Sequence, residues 1–329
     1  MRNLKFLVIL LLPIVLIFSG CTHYQKIQQV EKSTVFLGEG KKESMVHRHA
    51  PLFLTHNFDS TYNRIGRPSA RYDNNGREQI YIEADNPVIY YLKRDFSANK
   101  RNYTNLIYRV HFSKIPYSLI PFHLTAGENV GVMIVITIDS AKKPVLITTV
   151  HTCGCYRAIV PTSYLRNEAL PLKRKEGPLR VYGETLPGRL DYAGIENPKL
   201  LVYLRPGVHR VMDMEVIDAK ELQEGRNLAI VPTPLKPFQD LESIPLNGDT
   251  TSLYHKKGVL KGYVKGSIKI WESVFLSLPS MDFFIGADKV YGDAEETGNH
   301  FYTSLKPWNR AASDMWNFAQ FLEFWGWRL

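Results

Sequence analysis

The stretch from residue 131 to residue 155 constrains the fold of this chain more than any other. Gly131–Asp139 is an almost uninterrupted apolar run, which is typical of a strand buried on both faces. A polar turn, Ser140–Pro144, follows it, and Val145–Cys155 begins as a second strand rich in β-branched residues. Two strands joined by a short turn predict an antiparallel hairpin. We therefore expect a sheet organised around this hairpin.

The rest of the chain extends the same picture. Asn105–Phe112 has the alternating pattern of a strand, and Gly258–Leu278 has residues typical of strands, interrupted by glycines. Pro161–Pro245 carries ten of the nineteen prolines, which favours edge strands and loops. After Ser313, which we predict to be an N-cap, apolar residues follow at helical spacing. The sequence predicts a mainly β (α+β) fold: an antiparallel sheet or sandwich with peripheral helices and a C-terminal amphipathic helix.

The N-terminus has the features of a targeting segment. A basic start leads into the apolar run Phe6–Phe18, which is too short and wrongly flanked for a spanning helix. Phe18-Ser19-Gly20-Cys21 then resembles the lipobox of bacterial lipoproteins. The resemblance implies that residues 1–20 are a removed signal peptide and that Cys21 carries the lipid. The same resemblance implies the outer membrane, with the protein facing the periplasm, because Thr22 stands where Gram-negative lipoproteins retained in the inner membrane commonly have Asp.

Domain boundaries follow from composition. Residues 21–50 are polar and charged, and we interpret them as a tether between the lipid and the domain. Residues 51–329 are long enough for one large, mostly β domain. A proline-rich segment at residues 232–245 is the best place for a subdivision of that domain.

Charge indicates the class of partner. The chain has a formal charge of +9, and removal of Arg2 and Lys5 with the signal peptide leaves +7. A basic surface beside a lipid anchor suits contact with anionic headgroups, polysaccharide or an envelope protein partner. Lysines and arginines scattered over a solvated surface would give the same net charge without such a partner. The sequence has no clustered basic and aromatic motif, so we expect no nucleic-acid binding.

One group of residues suggests chemistry. His151, Cys153 and Cys155 alternate along the predicted second strand and would project from the same face. Two thiolates and an imidazole suit zinc or copper(I), and a fourth ligand would come from another predicted strand. The candidates for that ligand are His111, His123 and His209.

Other interpretations of the same residues stay open. Cys153 and Cys155 could form a disulfide if Gly154 bends the strand, and an oxidising envelope favours that bond. Thr152-Cys153 with Arg157 downstream resembles the Thr-Cys and Arg of sortases, which would imply a nucleophilic cysteine with a histidine base. The two cysteines could also be small buried residues without chemistry.

Two hypotheses of function follow. The first is a cell-envelope lipoprotein that acts as a binding or structural module, and the alternative is a thiol-dependent enzyme or redox protein that uses Cys153 and Cys155. Asp288, Asp293, Glu295 and Glu296 do not have the spacing of a calcium loop, so we expect an exposed acidic loop there.

Overall fold

A computed structural model describes residues 33–40, 44–175, 177–220 and 228–329 of the chain. Strands dominate the described residues, and the few helices are short, which confirms the mainly β (α+β) prediction. The predicted signal peptide (1–20) and the predicted lipid-bearing Cys21 lie outside the described residues. Among the described residues, no helix has both the length and the apolar content that crossing a membrane requires.

The strands are, in chain order, Ser33–Glu39 (β1), Leu52–His56 (β2), Arg67–Tyr72 (β3), Glu78–Glu83 (β4), Ile89–Ala98 (β5), Arg101–Ile115 (β6), Gly127–Ile138 (β7), Pro144–His151 (β8), Ala158–Pro161 (β9), Leu179–Val181 (β10), Glu184–Leu186 (β11), Pro198–Leu204 (β12), Val211–Asp218 (β13), Ala229–Pro237 (β14), Ile244–Leu246 (β15) and Asp249–Thr251 (β16). The described helices are Met45–Arg48 (α1), Ile270–Ser280 (α2), Ala294–Thr297 (α3) and Phe318–Phe324 (α4). Short 3₁₀ turns lie at Thr61–Asn63, Asn167–Ala169, Phe238–Glu242 and Pro307–Asn309.

Ten strands form one large sheet in the order β13-β12-β2-β1-β14-β5-β6-β7-β8-β9. The sheet is mixed rather than purely antiparallel as predicted, because β14 pairs in parallel with both β1 and β5, and β12 pairs in parallel with β2. The other neighbours are antiparallel, including the predicted hairpin of β7 and β8. Strand pairs β3-β4, β10-β11 and β15-β16 form three small ribbons outside the main sheet.

The sequence of strand β7 is mostly apolar because the strand is covered on both faces. Met133 and Val135 belong to the hydrophobic cluster on one face of the sheet, and Val132, Ile134 and Ile136 belong to the cluster on the other. Side chains of a strand alternate between the two faces, so a strand covered on both sides has a nearly continuous apolar sequence.

Two segments predicted to lie outside the domain core are part of the main sheet. Ser33–Glu39, inside the predicted tether 21–50, is β1, and its Val35 and Phe36 are buried. The proline-rich segment 232–245, considered as a domain boundary, contains most of β14. That strand pairs with β1 over residues 229–234 and with β5 over residues 235–237, so it joins the two halves of the sheet.

The structure corrects two predictions near the C-terminus. The last part of Gly258–Leu278, which was predicted to be strand, belongs to helix α2. Apolar residues in that part recur every four positions, as they do along a helix. The C-terminal helix begins after Asn317 rather than after Ser313. Ser313 is buried and its hydroxyl accepts hydrogen bonds from the backbone at residues 303 and 304. Helix α4 still packs an apolar face against the sheet, and its buried residues are Phe318, Phe321 and Leu322.

Candidate functional site

The predicted alternation of His151, Cys153 and Cys155 ends with β8, because the chain turns at Thr152. The backbone N–H of Gly154 donates to the carbonyl of His151 at 2.8 Å, and the N–H of His151 donates to the carbonyl of Cys155 at 2.9 Å. Gly154 has a φ of +94°, and a Cβ there would collide with the carbonyl oxygen of Tyr302. The turn therefore requires glycine twice, for its backbone conformation and for its close packing.

This turn brings the three predicted residues together although they do not share a strand face. Cys153 and Cys155 form a disulfide with a Cα–Cα distance of 5.6 Å, which lies within the usual range for such bonds. The ligand atoms of His151 and both cysteines all lie within 4.8 Å of one another. Cys153 is 4% exposed, whereas Cys155 is partly accessible. The group fits a disulfide as it stands and a metal once the sulfurs are reduced.

His151 is buried, and neither of its ring nitrogens makes a hydrogen bond of ordinary geometry in the described part of the chain. Burial lowers the pKa of His151 well below its usual value, and the charges of Lys269, His209 and Arg210 lower it further. The backbone of His209 raises the pKa of His151, but this effect is the smallest. The imidazole is therefore neutral, which is the form that binds metals.

The three candidates for a fourth ligand are not in this group. The Nε2 of His111 accepts a hydrogen bond from Nε of Arg109 at 2.9 Å, and both side chains are buried. His209 stacks on Phe112 with ring centroids 4.1 Å apart. Its Nε2 donates to the carbonyl of Lys114 at 3.0 Å, and burial lowers its pKa to about 4. His123 uses Nδ1 to donate to the carbonyl of Pro116.

A buried ionic cluster beside the turn was not predicted from the sequence. The carboxylate of Asp288 receives Nζ of Lys269 at 2.8 Å and the backbone N–H of Gly131 at 2.7 Å, and the hydroxyl of Thr152 also donates to it. The side chains of Lys269 and Asp288 are 0% and 1% exposed. The prediction of an exposed acidic loop is therefore wrong for Asp288, and the apolar residues Ala287 and Val290 on either side were the available signal in the sequence.

Lys289 connects this cluster to the disulfide turn. Its ammonium donates to the carbonyl oxygen of Cys153 at 2.7 Å and lies 4.4 Å from the ring centre of Tyr302. Burial lowers the pKa of Lys289 to about 8. The backbone N–H of the same residue donates to the carbonyl of Thr152 at 2.8 Å. The turn is thus held from both its backbone and its side chains by the segment around residue 288.

A shallow pocket opens beside the turn, next to Tyr156. Buried Glu184 lies in its wall and forms ion pairs with Arg205 and Arg210. The space has room for little more than a water molecule, so it does not resemble a substrate site. The ring of Tyr156 also contacts His151, with centroids 4.8 Å apart.

Comparison of the chain with family models, with curated proteins and with solved structures found no significant match. No family activity is available to transfer to these residues. The function is therefore inferred from the N-terminal motif and from the geometry of the disulfide turn.

Proposed function

We propose that this chain is the body of a lipid-anchored protein of the bacterial cell envelope, attached through Cys21 to the outer membrane and facing the periplasm. It acts as a binding or structural module for an envelope protein or polysaccharide. The lipobox-like Phe18-Ser19-Gly20-Cys21 supports the anchor. An oxidising compartment also suits a chain whose remaining two cysteines form a disulfide.

The single observation that carries the structural role is how the disulfide turn is buried. Lys289 binds the carbonyl of Cys153, Thr152 binds Asp288, and Gly154 lies against the backbone of Tyr302. Each contact joins the end of β8 to the segment of residues 287–302. The disulfide keeps the turn in the shape that makes these contacts, so it supports the packing of the C-terminal part on the sheet.

Mature protein purified from its own compartment tests this proposal. We expect an acylated Cys21 by mass spectrometry, no bound metal and no free thiol. We also expect that Cys153→Ser lowers stability together with any binding activity. A free thiol that reacts with iodoacetamide faster than a model peptide, in a protein whose fold survives Cys153→Ser, would refute the structural role and support the thiol-dependent alternative.

A specific observation favours a second function, in which the reduced site holds zinc or copper(I). His151 is neutral, lacks an ordinary hydrogen bond and lies within 4.8 Å of both sulfurs. An external dithiol would give two electrons to the disulfide and become oxidised to its own disulfide. Cys153 and Cys155 would then each lose a proton on binding the metal. His151 and two thiolates make three ligands.

Metal titration of the reduced protein in the absence of oxygen tests this alternative. We expect one equivalent of Zn²⁺ or Cu(I) to bind, with an affinity that His151→Gln weakens by at least about tenfold. His123→Gln is the control, because His123 lies outside the group. Equal affinity in the two variants, or no binding at all, excludes the metal site.

A further inference from the structure

Helix α2 turns an apolar face to solvent. Ile270, Val274 and Leu278 follow one another at intervals of four residues and are 51%, 61% and 82% exposed. Met281, which ends the helix, is 74% exposed. A soluble helix ordinarily buries such a stripe, and contiguous exposed apolar surface of this kind marks an interaction site.

A second exposed segment lies beside this helix. The loop between β6 and β7 carries Leu119 and Ile120, which are 75% and 95% exposed. Phe122 of the same loop packs against Trp271 and Phe275 of α2, with ring centroids 5.8 and 6.4 Å apart. The loop and the helix therefore form one surface, which we call the apolar patch and define by Leu119, Ile120, Ile270, Val274, Leu278 and Met281.

The apolar patch has no exposed charge within residues 116–122 and 268–283, the two segments that form it. Those segments contain three charged residues, Lys269, Glu272 and Asp282, and all three are buried. Burial also raises the pKa of Glu272. At the C-terminal end of α2, Arg310 donates to the carbonyl of Ser280, and Trp308, two residues before Arg310 in the chain, is 77% exposed. Uncharged aliphatic surface with an exposed tryptophan nearby is typical of a membrane interface.

The patch lies at the end of the sheet at which the first strand, β1, begins. β1, β14 and β5 run in the same direction, and Ser33 is the first residue of β1. β6 is antiparallel to β5, so its last residue, Ile115, lies at that same end and pairs with Gly127 of β7. A Cβ on Gly127 would lie 3.0 Å from the carbonyl oxygen of Ile268, so the start of α2 packs at this end too.

Distances along the sheet and the chain agree with this arrangement. Two strands, β14 and β5, separate β1 from β6, so the two lie about 14 Å apart at the usual strand spacing. Twelve residues lead from Cys21 to Ser33, and they cannot reach further than about 43 Å in any conformation. A lipid on Cys21 would therefore hold the patch within reach of the bilayer.

We propose that the apolar patch rests on the lipid bilayer that holds the Cys21 anchor, with Leu278 and Ile120 inserted at the level of the headgroups. The inference rests on the proposed lipid anchor. It adds an orientation: the end of the sheet with the β6–β7 loop faces the membrane, and the opposite end faces the periplasm. The net positive charge of the chain favours the same contact with anionic lipid.

The test uses the full lipidated protein in vesicles of phosphatidylethanolamine and phosphatidylglycerol with brominated acyl chains. Leu278→Cys and Leu172→Cys are each labelled with a fluorescent maleimide under non-reducing conditions. Leu172 is the matched control, because it is 87% exposed and follows Leu170, whose carbonyl accepts a hydrogen bond from Arg328. The residue after Arg328, Leu329, accepts a hydrogen bond from Asn99 in the β5–β6 turn, at the opposite end of the sheet from the patch. We expect bromine to quench the probe at position 278 at least about twofold more than the probe at position 172.

A second variant tests the patch as a unit. With the probe at Ile120→Cys, Leu278→Asp should reduce quenching, whereas Leu172→Asp should leave it unchanged. Equal quenching at positions 278 and 172 in protein whose Cys21 is acylated would overturn the orientation and leave the proposed function standing. An unmodified Cys21 would overturn the anchor and the inference together. If the fluorescence of the probe at position 278 changes with protein concentration but not with brominated lipid, the patch contacts a second copy of the chain, and the bilayer contact is overturned.

Discussion

Removal of the charge on Asp288 should destabilise the protein strongly. In Asp288→Asn, Lys269 keeps its ammonium in a fully buried place but loses the carboxylate 2.8 Å away. Gly131 and Thr152 already donate to the same carboxylate oxygen, Oδ2, so an amide oxygen can keep both bonds, but its NH₂ group then faces the Lys269 ammonium. Breaking a buried pair by removing one partner costs about 3–5 kcal/mol, which is a large part of the stability of an ordinary domain. Urea-induced unfolding at neutral pH, with an unchanged m value, measures this loss.

An exposed pair provides the control for this experiment. Lys220 and Glu196 also lie 2.8 Å apart, but their side chains are 65% and 75% exposed. Glu196→Gln should therefore cost about 0–1 kcal/mol. Lys269→Met combined with Asp288→Asn should recover part of the loss, because no unpaired ammonium remains. If Asp288→Asn costs no more than Glu196→Gln, burial does not determine the strength of the pair and the reasoning is wrong.

Three further predictions concern the same region. The pKa of His209 is about 4 in the folded protein and near 6.5 in the unfolded chain, so acid favours unfolding. This residue alone should lower the free energy of unfolding by about 2 kcal/mol when the pH falls from 7.5 to 5. A urea midpoint that does not change across that range would contradict the prediction. The disulfide closes a loop of only three residues, so loop entropy alone accounts for about 1.6 kcal/mol of its stabilisation. Because the buried contacts of the turn depend on the bond in the proposed structural role, reducing Cys153 and Cys155 should cost more than this, and a loss no larger than about 1.6 kcal/mol would contradict that role. Gly154→Ala should be at least about 2 kcal/mol more destabilising than Gly76→Ala, because both have positive φ but only residue 154 lacks space for a Cβ; equal melting temperatures would disprove the close packing.

Local pattern was sufficient for the β7–β8 hairpin. Gly131–Asp139 is an almost uninterrupted apolar run because both faces of β7 are covered, and a short polar turn lets the next strand return beside it. The same kind of pattern failed for Ile270–Ser280, where β-branched and aromatic residues in a glycine-flanked segment form a helix. Propensity is a weak guide there, because packing of Trp271 and Phe275 on the β6–β7 loop determines the outcome.

The predicted tether and the proline-rich segment show a different limit. Ser33–Glu39 and Ala229–Pro237 lie almost 200 residues apart, yet they pair in parallel at the centre of the sheet. Neither segment has a strong local signal, since parallel pairing depends on a partner that is distant in the chain. Polar composition and prolines therefore indicated a tether and a boundary where the structure has two central strands.

The sequence by itself determined the mainly β class, the central hairpin and the closeness of His151, Cys153 and Cys155, because these depend on residues near one another in the chain. Only the tertiary structure decided how those residues are used. Asp288 is more than a hundred residues away from Gly131 and Thr152, and its burial beside Lys269 follows from the packing of the C-terminal segment on the sheet. A short stretch of sequence shows the periodicity of its apolar residues and the residues that favour turns. The partner of a buried charge, in contrast, depends on the whole fold.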